Sequence, residues 1–336
     1  IQKIDEKYIA VAKNKIFNKD YPEIMNIDGF SMTTLQEKAG EMTAKGSPQL
    51  YESGSLTYLS YYGFLQKQLN IKNSIPKIQF TNGKDTITTE VSLVGNKQRR
   101  ELATHKESYH KMLDNNIGYI YLNKMEKEEE YLNWLKNTMD EFKNTKALII
   151  DIRGNGGGSR KPIYTLLPYF ITSPKVININ AFRINKDLDP NIDEPIGQLE
   201  KRMAYPEKST HWTVQERKAI ADFKNSFNPE WKFDKNKFSK WHYSVVSPNN
   251  KYYSKAVFVI MDSGNFSASD IFLAAFKGSK NITLIGQKSS GGSGFTRMNF
   301  MWNSGLMYLL SRMVSFQPNG RLYDGNGSTL YGNHFK

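Results

Sequence analysis

The run KALIIDIRGNGGGS, residues 146–159, constrains the fold more than any other stretch. Its apolar residues are continuous, without the alternation of a strand that wets one face. They therefore predict a strand buried on both sides within a parallel sheet. The glycine cluster that ends it predicts a sharp turn, since glycine alone enters left-handed conformations without steric cost. IGYIYL reads as a strand and MEKEEEYLNWLKNTMDEFKN as a long amphipathic helix before this run. KPIYTLLPYFI follows as a helix with a proline near its start, where proline is tolerated. Strand, helix, strand, glycine turn and helix make a βαβ-type unit, so the chain from about residue 117 is of the α/β class.

Further on, KAVFVIM predicts another buried strand, and DSGNFSASDIFLAAF sets two serines, Ser267 and Ser269, at the head of a helix. The strand NITLIG and a second glycine loop, QKSSGGSG, come next. GFTRMNFMW and GLMYLLSRMVSF are β-like, and the end of the chain is rich in turns. Residues 183–250 are more polar and carry Trp212, Trp231 and Trp241; they read as an insertion or lid. Within them TVQERKAIADFKNS predicts a helix, with Thr213 and Glu216 forming a capping box. Residues 1–100 read as a small β-rich module. Asp28-Gly29 and Asn82-Gly83 are turn signals, TTLQEKAGEMTAK has helical spacing with a threonine for its cap, and LTYLSYYGFLQKQLN is apolar-periodic.

The 336 residues suffice for one large domain or two of ordinary size. There is no cysteine, which excludes disulfides, thiolate metal sites and cysteine nucleophiles. The net charge of +13 comes from scattered lysines, which read as a solvated basic surface and not as a nucleic-acid site. No stretch approaches the roughly 18 apolar residues of a membrane span. The first residues, IQKIDEKYIA, lack both methionine and an apolar leader, so a leader has been removed or the chain starts internally. No cofactor is implied. The first glycine cluster lacks the Gly-Lys-Ser/Thr of a Walker loop, and its glycines do not fit a dinucleotide fingerprint. Its exposed N–H groups can instead serve a developing oxyanion.

Three stretches together carry a family resemblance: ALIIDIRGNGGGS, then VFVIMDSGNFSASDIFLAAF, then ITLIGQKSSGGSG. In order and spacing they resemble the carboxyl-terminal processing (tail-specific) serine peptidases, a family that includes the tricorn core. The resemblance covers roughly residues 117–327, and EIMNIDG more weakly resembles the PDZ-like module of such enzymes. It implies a crotonase-like (ClpP-like) catalytic domain over residues 101–336 behind a PDZ-like module over residues 1–100. It also implies a peptide or unfolded protein substrate and an extracytoplasmic (periplasmic or secreted) location. Ser267 falls on the family's nucleophile. The N–H of Ala268 and one from Gly157 or Gly158 fall on its oxyanion hole. Ser269 reads as a helix-start residue.

The general base is the departure. Relatives with a Ser-Lys dyad carry lysine where this chain has Gly292, and Lys288 stands four residues early. The tricorn-type branch uses a histidine ahead of the PDZ-like module and a carboxylate near the end, for which Asp324 in RLYDGNG is the match. The five histidines, His105, His110, His211, His242 and His334, lie outside the matching context. Either a preceding segment supplies the base, or the chain is a relative that has lost it and binds peptides through the PDZ-like module. A crotonase-type acyl-CoA enzyme is the third reading, against which the serine helix start already argues.

Overall fold

The computed structural model describes residues 1–12, 15–95, 97–98, 107–184, 199–232, 237–294, 296–301, 303 and 306–330. His105 and His334 lie outside the described residues. The chain divides into two compact units, Ile1–Lys106 and Glu107–Lys336.

In the first unit, β1 (Gln2–Ile4), β2 (Lys7–Ile9), β5 (Glu23–Ile27), β7 (Lys77–Thr81) and β8 (Thr86–Glu90) follow one another across an antiparallel sheet. β6 (Phe30–Ser31) pairs with β5, and β3 (Val11–Ala12) with β4 (Lys15–Ile16) in a separate ribbon. Asp28 and Gly29 both have positive φ, 52° and 80°, as a tight two-residue turn between β5 and β6 requires. The hairpin at Asn82-Gly83 joins β7 to β8, with the Asn82 side chain accepting from the N–H groups of Lys84 and Asp85.

The helix α1 (Met32–Gly40) is capped by Ser31, whose hydroxyl accepts from Thr34 N–H; the cap is therefore this serine and not a threonine. α2 (Pro48–Leu59) and α3 (Tyr62–Gln68) divide the second apolar-periodic segment. Leu35, Ala39, Leu59 and Leu65 from the helices close over Ile24, Ile27 and Phe80 of the sheet.

The second unit is built on a five-stranded sheet in the order β16-β15-β11-β10-β9. β10 (Ile117–Tyr121), β11 (Ala147–Asp151), β15 (Ala256–Met261) and β16 (Ile282–Gly286) run parallel, and β9 (Tyr109–Leu113) pairs antiparallel at the edge. Leu148 and Ile150 of β11 and Val257 and Val259 of β15 are fully buried, as the apolar runs predict. α4 (Glu129–Glu141) packs against α5 (Lys161–Leu166), which carries Pro162 in its first turn.

A second sheet is wholly antiparallel and has the order β13-β14-β12-β19. It contains β12 (Lys175–Phe182), β13 (Tyr205–Pro206), β14 (His242–Val246) and β19 (Met313–Phe316). α6 (Val214–Ser226), begun by the expected Thr213–Glu216 capping box, packs on β12 and β14. α7 (Ala268–Phe276) packs on β12 as well. β17 (Thr296–Met301) and β18 (Leu306–Ser311) form a separate ribbon.

This corrects the crotonase-like (ClpP-like) architecture expected from the sequence. The main sheet is mixed, closed at one edge by antiparallel β9. The chain also leaves it after α5 to build an independent antiparallel sheet from β12, β14 and β19. β12 is buried along almost its whole length yet carries Asn178 and Asn180. Asn178 Nδ2 donates to Ser315 Oγ of β19 and Asn180 Oδ1 accepts from the same hydroxyl, bonds made across the second sheet.

Candidate active site

The three sequence motifs meet because each follows one of three adjacent parallel strands. β11 aligns Asp151 with Ile260 of β15, and β15 aligns Met261 with Gly286 of β16, so the three following loops leave the same edge side by side. Residues 152–159, 262–267 and 287–294 thus come together at the carboxyl ends of the sheet.

Ser267 stands at the junction of β15's turn with α7. Its φ of 61° and ψ of −120° are sterically costly for any residue with a Cβ. Its hydroxyl makes no capping bond to the helix it begins. Ser269, expected as a helix-start residue, does not cap either. It is fully buried, and its hydroxyl donates across to Asn155, with the backbone carbonyl and Oδ1 both at 2.7 Å.

Asn155 and Asn265, which the sequence reading passed over, bind the two loops together. The Asn265 amide donates to the carbonyl of Ile152 at 2.5 Å and toward that of Asn155 at 3.3 Å, while its Oδ1 accepts from Asp262 N–H. The Asn155 amide donates to the Leu122 carbonyl, and its Oδ1 accepts from Gly157 N–H at 2.9 Å. Asp262 completes the clasp by accepting from Gly154 N–H. Both asparagines have no exposed surface, so the bonds of their side chains to Ile152, Leu122, Asn155 and Gly157 are made out of water's reach, where an unmade one is costly. The signal available in the sequence was their place inside the two motifs, NGGG and GNFS.

The glycines are required by contact. A Cβ on Gly157 would stand 2.5 Å from the Phe266 carbonyl and 2.8 Å from Ala268 N. One on Gly158 would stand 2.2 Å from the Met125 carbonyl. Both also have positive φ, 99° and 137°. Among the described residues, the N–H groups of Gly158 and Ala268 donate to no backbone acceptor, whereas Gly157 N–H is occupied by Asn155.

Asp270 is buried one turn into α7. Its Oδ1 accepts from Ser289 Oγ at 2.5 Å, which ties the helix to the third loop, and Ser328 N–H donates in turn to Ser289. Burial pushes its carboxyl up to about 7 against the opposing pull of Ser289 and of the Gly291, Gly292 and Ser267 N–H groups. None of those N–H groups reaches Oδ2 with hydrogen-bond geometry, and among the described residues that oxygen has no partner. Asp324 lies at the rim. The crowding around it raises its carboxyl above the ordinary range, opposed by Ser293 N–H, and because the residue is exposed by surface area the shift is small in free energy. Its Oδ1 lies 3.4 Å from where a Cβ on Gly292 would stand.

Among the described residues, no lysine or histidine is hydrogen-bonded to Ser267. His110 accepts from the Trp134 indole and faces Glu141 on the outer strand β9. His211 stacks on Tyr205, and His242 is buried in β14. The same residues contain no cluster able to hold a metal ion and no helix long and apolar enough to cross a membrane. A cleft of about 640 Å³ lies in the first unit beside Asp28-Gly29, but no nucleophile of the three motifs lines it.

The family model for peptidase family S41 matches residues 116–329. A protein of Chlamydia trachomatis serovar D is 25% identical over 171 residues, covering 45% of this chain and 28% of that protein. The chain thus spans far less than two thirds of that curated relative. Among solved structures, mature CPAF superposes with a TM-score of 0.62 at 13% identity, over 97% of this chain and 76% of that one. CPAF complexed with lactacystin gives 0.61 at 14% identity, over 97% and 77%. At such identity the likeness concerns the fold, and the fold shared is that of CPAF. With the matched region containing all three loops, the chain belongs to peptidase family S41.

Proposed function

We propose that this chain carries the catalytic domain of a serine-type endopeptidase of the tail-specific/tricorn-core type, with Ser267 as nucleophile. The observation that carries the reading is the strained backbone of Ser267, held against Gly157 with its hydroxyl withheld from capping. Strain of this kind persists where the surroundings enforce it, as at the turn of a nucleophile. In the reaction, Ser267 Oγ attacks a peptide carbonyl. The oxyanion takes hydrogen bonds from Gly158 N–H and Ala268 N–H, and the amino end of α7 favours the same charge. Gly157 is the weaker candidate for the hole because its N–H already serves Asn155. A base outside the residues bonded to Ser267 takes the hydroxyl proton and passes it to the departing nitrogen, so collapse of the intermediate releases the amine and leaves an acyl-enzyme, which water hydrolyses.

The substrate is a peptide or an unfolded protein, and an extracytoplasmic site of action belongs to the same reading. The first unit is a PDZ-like module that supplies peptide binding; residues 183–250, expected as an insertion or lid, instead contribute β13 and β14 to the second sheet and α6 packed on it. Asp324 serves as the carboxylate that orients a base. A second reading is favoured by one observation: no lysine or histidine among the described residues is bonded to Ser267. In that reading the protein is a peptide-binding relative without catalysis.

A fluorophosphonate probe separates the two. Labelling that disappears in Ser267→Ala and is competed by lactacystin, the compound found with CPAF, is the expected result. No labelling, or labelling that survives the substitution, overturns the peptidase reading.

A further inference from the structure

The three loops of the site carry only two large apolar side chains, Ile152 and Phe266. Ile152 is fully buried, whereas Phe266, the residue just before the nucleophile, is 37% exposed. Among the described residues it joins none of the apolar clusters of the second unit. A phenylalanine ring gains most from burial, and the chemistry proposed above gives this one no task.

The surroundings nevertheless hold the ring in place. Phe266 N–H donates to the Asn155 carbonyl at 3.4 Å, and its own carbonyl accepts from Ser269 N–H at 3.2 Å. The third loop is joined to the stretch just before it, with Ser290 N–H on the Asn265 carbonyl and Ser290 Oγ on the Ser263 carbonyl. Gly292 then supplies the seat. Its φ is not positive, unlike that of Gly291 at 76°, so backbone conformation does not demand glycine there. The ring does: a Cβ at 292 would stand 2.3 Å from Cε2 and 2.6 Å from Cζ. Backbone without a side chain is thus kept under one side of the ring, and the other side is open to water.

Position and chemistry decide what the open ring can serve. Consecutive Cα atoms lie about 3.8 Å apart, so Phe266 starts beside the nucleophile. A peptide whose carbonyl meets Ser267 Oγ therefore brings its flanking side chains within the ring's reach. The ring offers C–H edges and a π face without a polar atom, so its gain from a ligand is apolar contact and ring stacking. Asp324 Oδ1 comes within 3.4 Å of the same Cβ position on Gly292, a negative border that repels an acidic side chain. We propose that Phe266, seated on Gly292, is the wall of a specificity subsite that takes a large apolar side chain of the substrate next to the bond Ser267 attacks. The inference rests on the peptidase reading and concerns which substrate is chosen.

Competition against fluorophosphonate labelling of Ser267 in the full chain tests it. The competitors are acetyl-Ala-Ala-Xaa-Ala-Ala-amides with Phe, Ala, Glu or Lys at the centre. The Phe peptide is expected to slow labelling at a concentration at least tenfold below that of the Ala peptide, and the Glu peptide to be weakest. That ratio is read within one preparation, so it does not depend on the fraction of chain that is folded. Phe266→Ala removes the ring and Gly292→Ala displaces it; in both, the Phe-to-Ala ratio is expected to fall below threefold. Phe266→Tyr keeps the ring and is expected to keep the ratio. No competition by any peptide, equal competition by Phe and Ala, or stronger competition by Lys or Glu than by Phe overturns the proposal. A ratio unchanged in either ring variant overturns it too, and so does loss of labelling in both, which would show that the ring supports the nucleophile and not the substrate. Labelling without a Phe preference leaves the peptidase reading standing and sinks the subsite alone, whereas an unsubstituted chain that does not label sinks both.

Discussion

The ring of Phe266 fills the space that a side chain on Gly292 would need: a Cβ there would stand 2.3 Å from Phe266 Cε2 and 2.6 Å from Cζ. By the sequence resemblance, position 292 falls where Ser-Lys relatives carry their base, and here the ring of the residue just before Ser267 fills the space beside it. Gly292→Lys alone is therefore expected to lower the melting temperature and leave fluorophosphonate labelling no faster. In Phe266→Ala/Gly292→Lys the lysine gains room, and labelling is expected to accelerate at alkaline pH. Faster labelling in the single variant would show that the ring yields.

Ser267 holds a conformation that costs on the order of 1–3 kcal/mol for a residue with a Cβ. Ser267→Gly is expected to raise the unfolding free energy by about 1 kcal/mol after glycine's own entropic cost, while ending probe labelling. Denaturant titration of the two chains measures it, and a destabilised glycine variant would contradict the strain.

Gly157 and Gly154 differ in what surrounds them. Both have positive φ, but a Cβ on Gly154 meets nothing within 4 Å, while one on Gly157 strikes the backbone of Phe266 and Ala268. Gly157→Ala is expected to slow labelling by about a hundredfold or more, the scale of losing an oxyanion donor. Gly154→Ala is expected to cost about 1 kcal/mol of stability and to leave the labelling rate within a few-fold. Parallel labelling time courses compare them.

Asp270 makes stability depend on pH. Its folded-state pKa, about 7, lies above the ordinary 3.8, so between these values the folded form binds more protons than the unfolded one. Stability therefore falls as pH rises through this window, by at most roughly 4 kcal/mol. Asp270→Asn keeps an oxygen for Ser289 and removes the ionisation. Its unfolding free energy is expected to be nearly flat from pH 4 to 7, and an unchanged slope would assign the dependence to another group.

The parallel strands and the three loops were legible because each is a local pattern: an apolar run, then glycines or serines. β12 and β14 were not. Asn178, Asn180, His242 and Ser244 interrupt their apolar pattern although all four are buried, so β12 was passed over and β14 was read within the polar insertion 183–250. Their polarity is answered across strands, which no single segment reveals. Ser269 misled for the same reason, since its partner Asn155 lies 114 residues away. The mixed sheet was hidden too, because antiparallel β9 and the second sheet depend on pairings between distant segments. The base remained illegible because the matching position is glycine.

The clasp between Asn155 and Asn265 also governs when the site comes into being. The bond from Asn265 to the Asn155 carbonyl joins residues 110 apart in sequence, and the loop it closes is paid for in chain entropy before anything is returned. During folding, a chain with β11 and β15 still unpaired carries the serine without the glycine turn beside it. The two loops can thus meet only after strands far apart in the sequence have paired, so the site is among the later features of the fold to form.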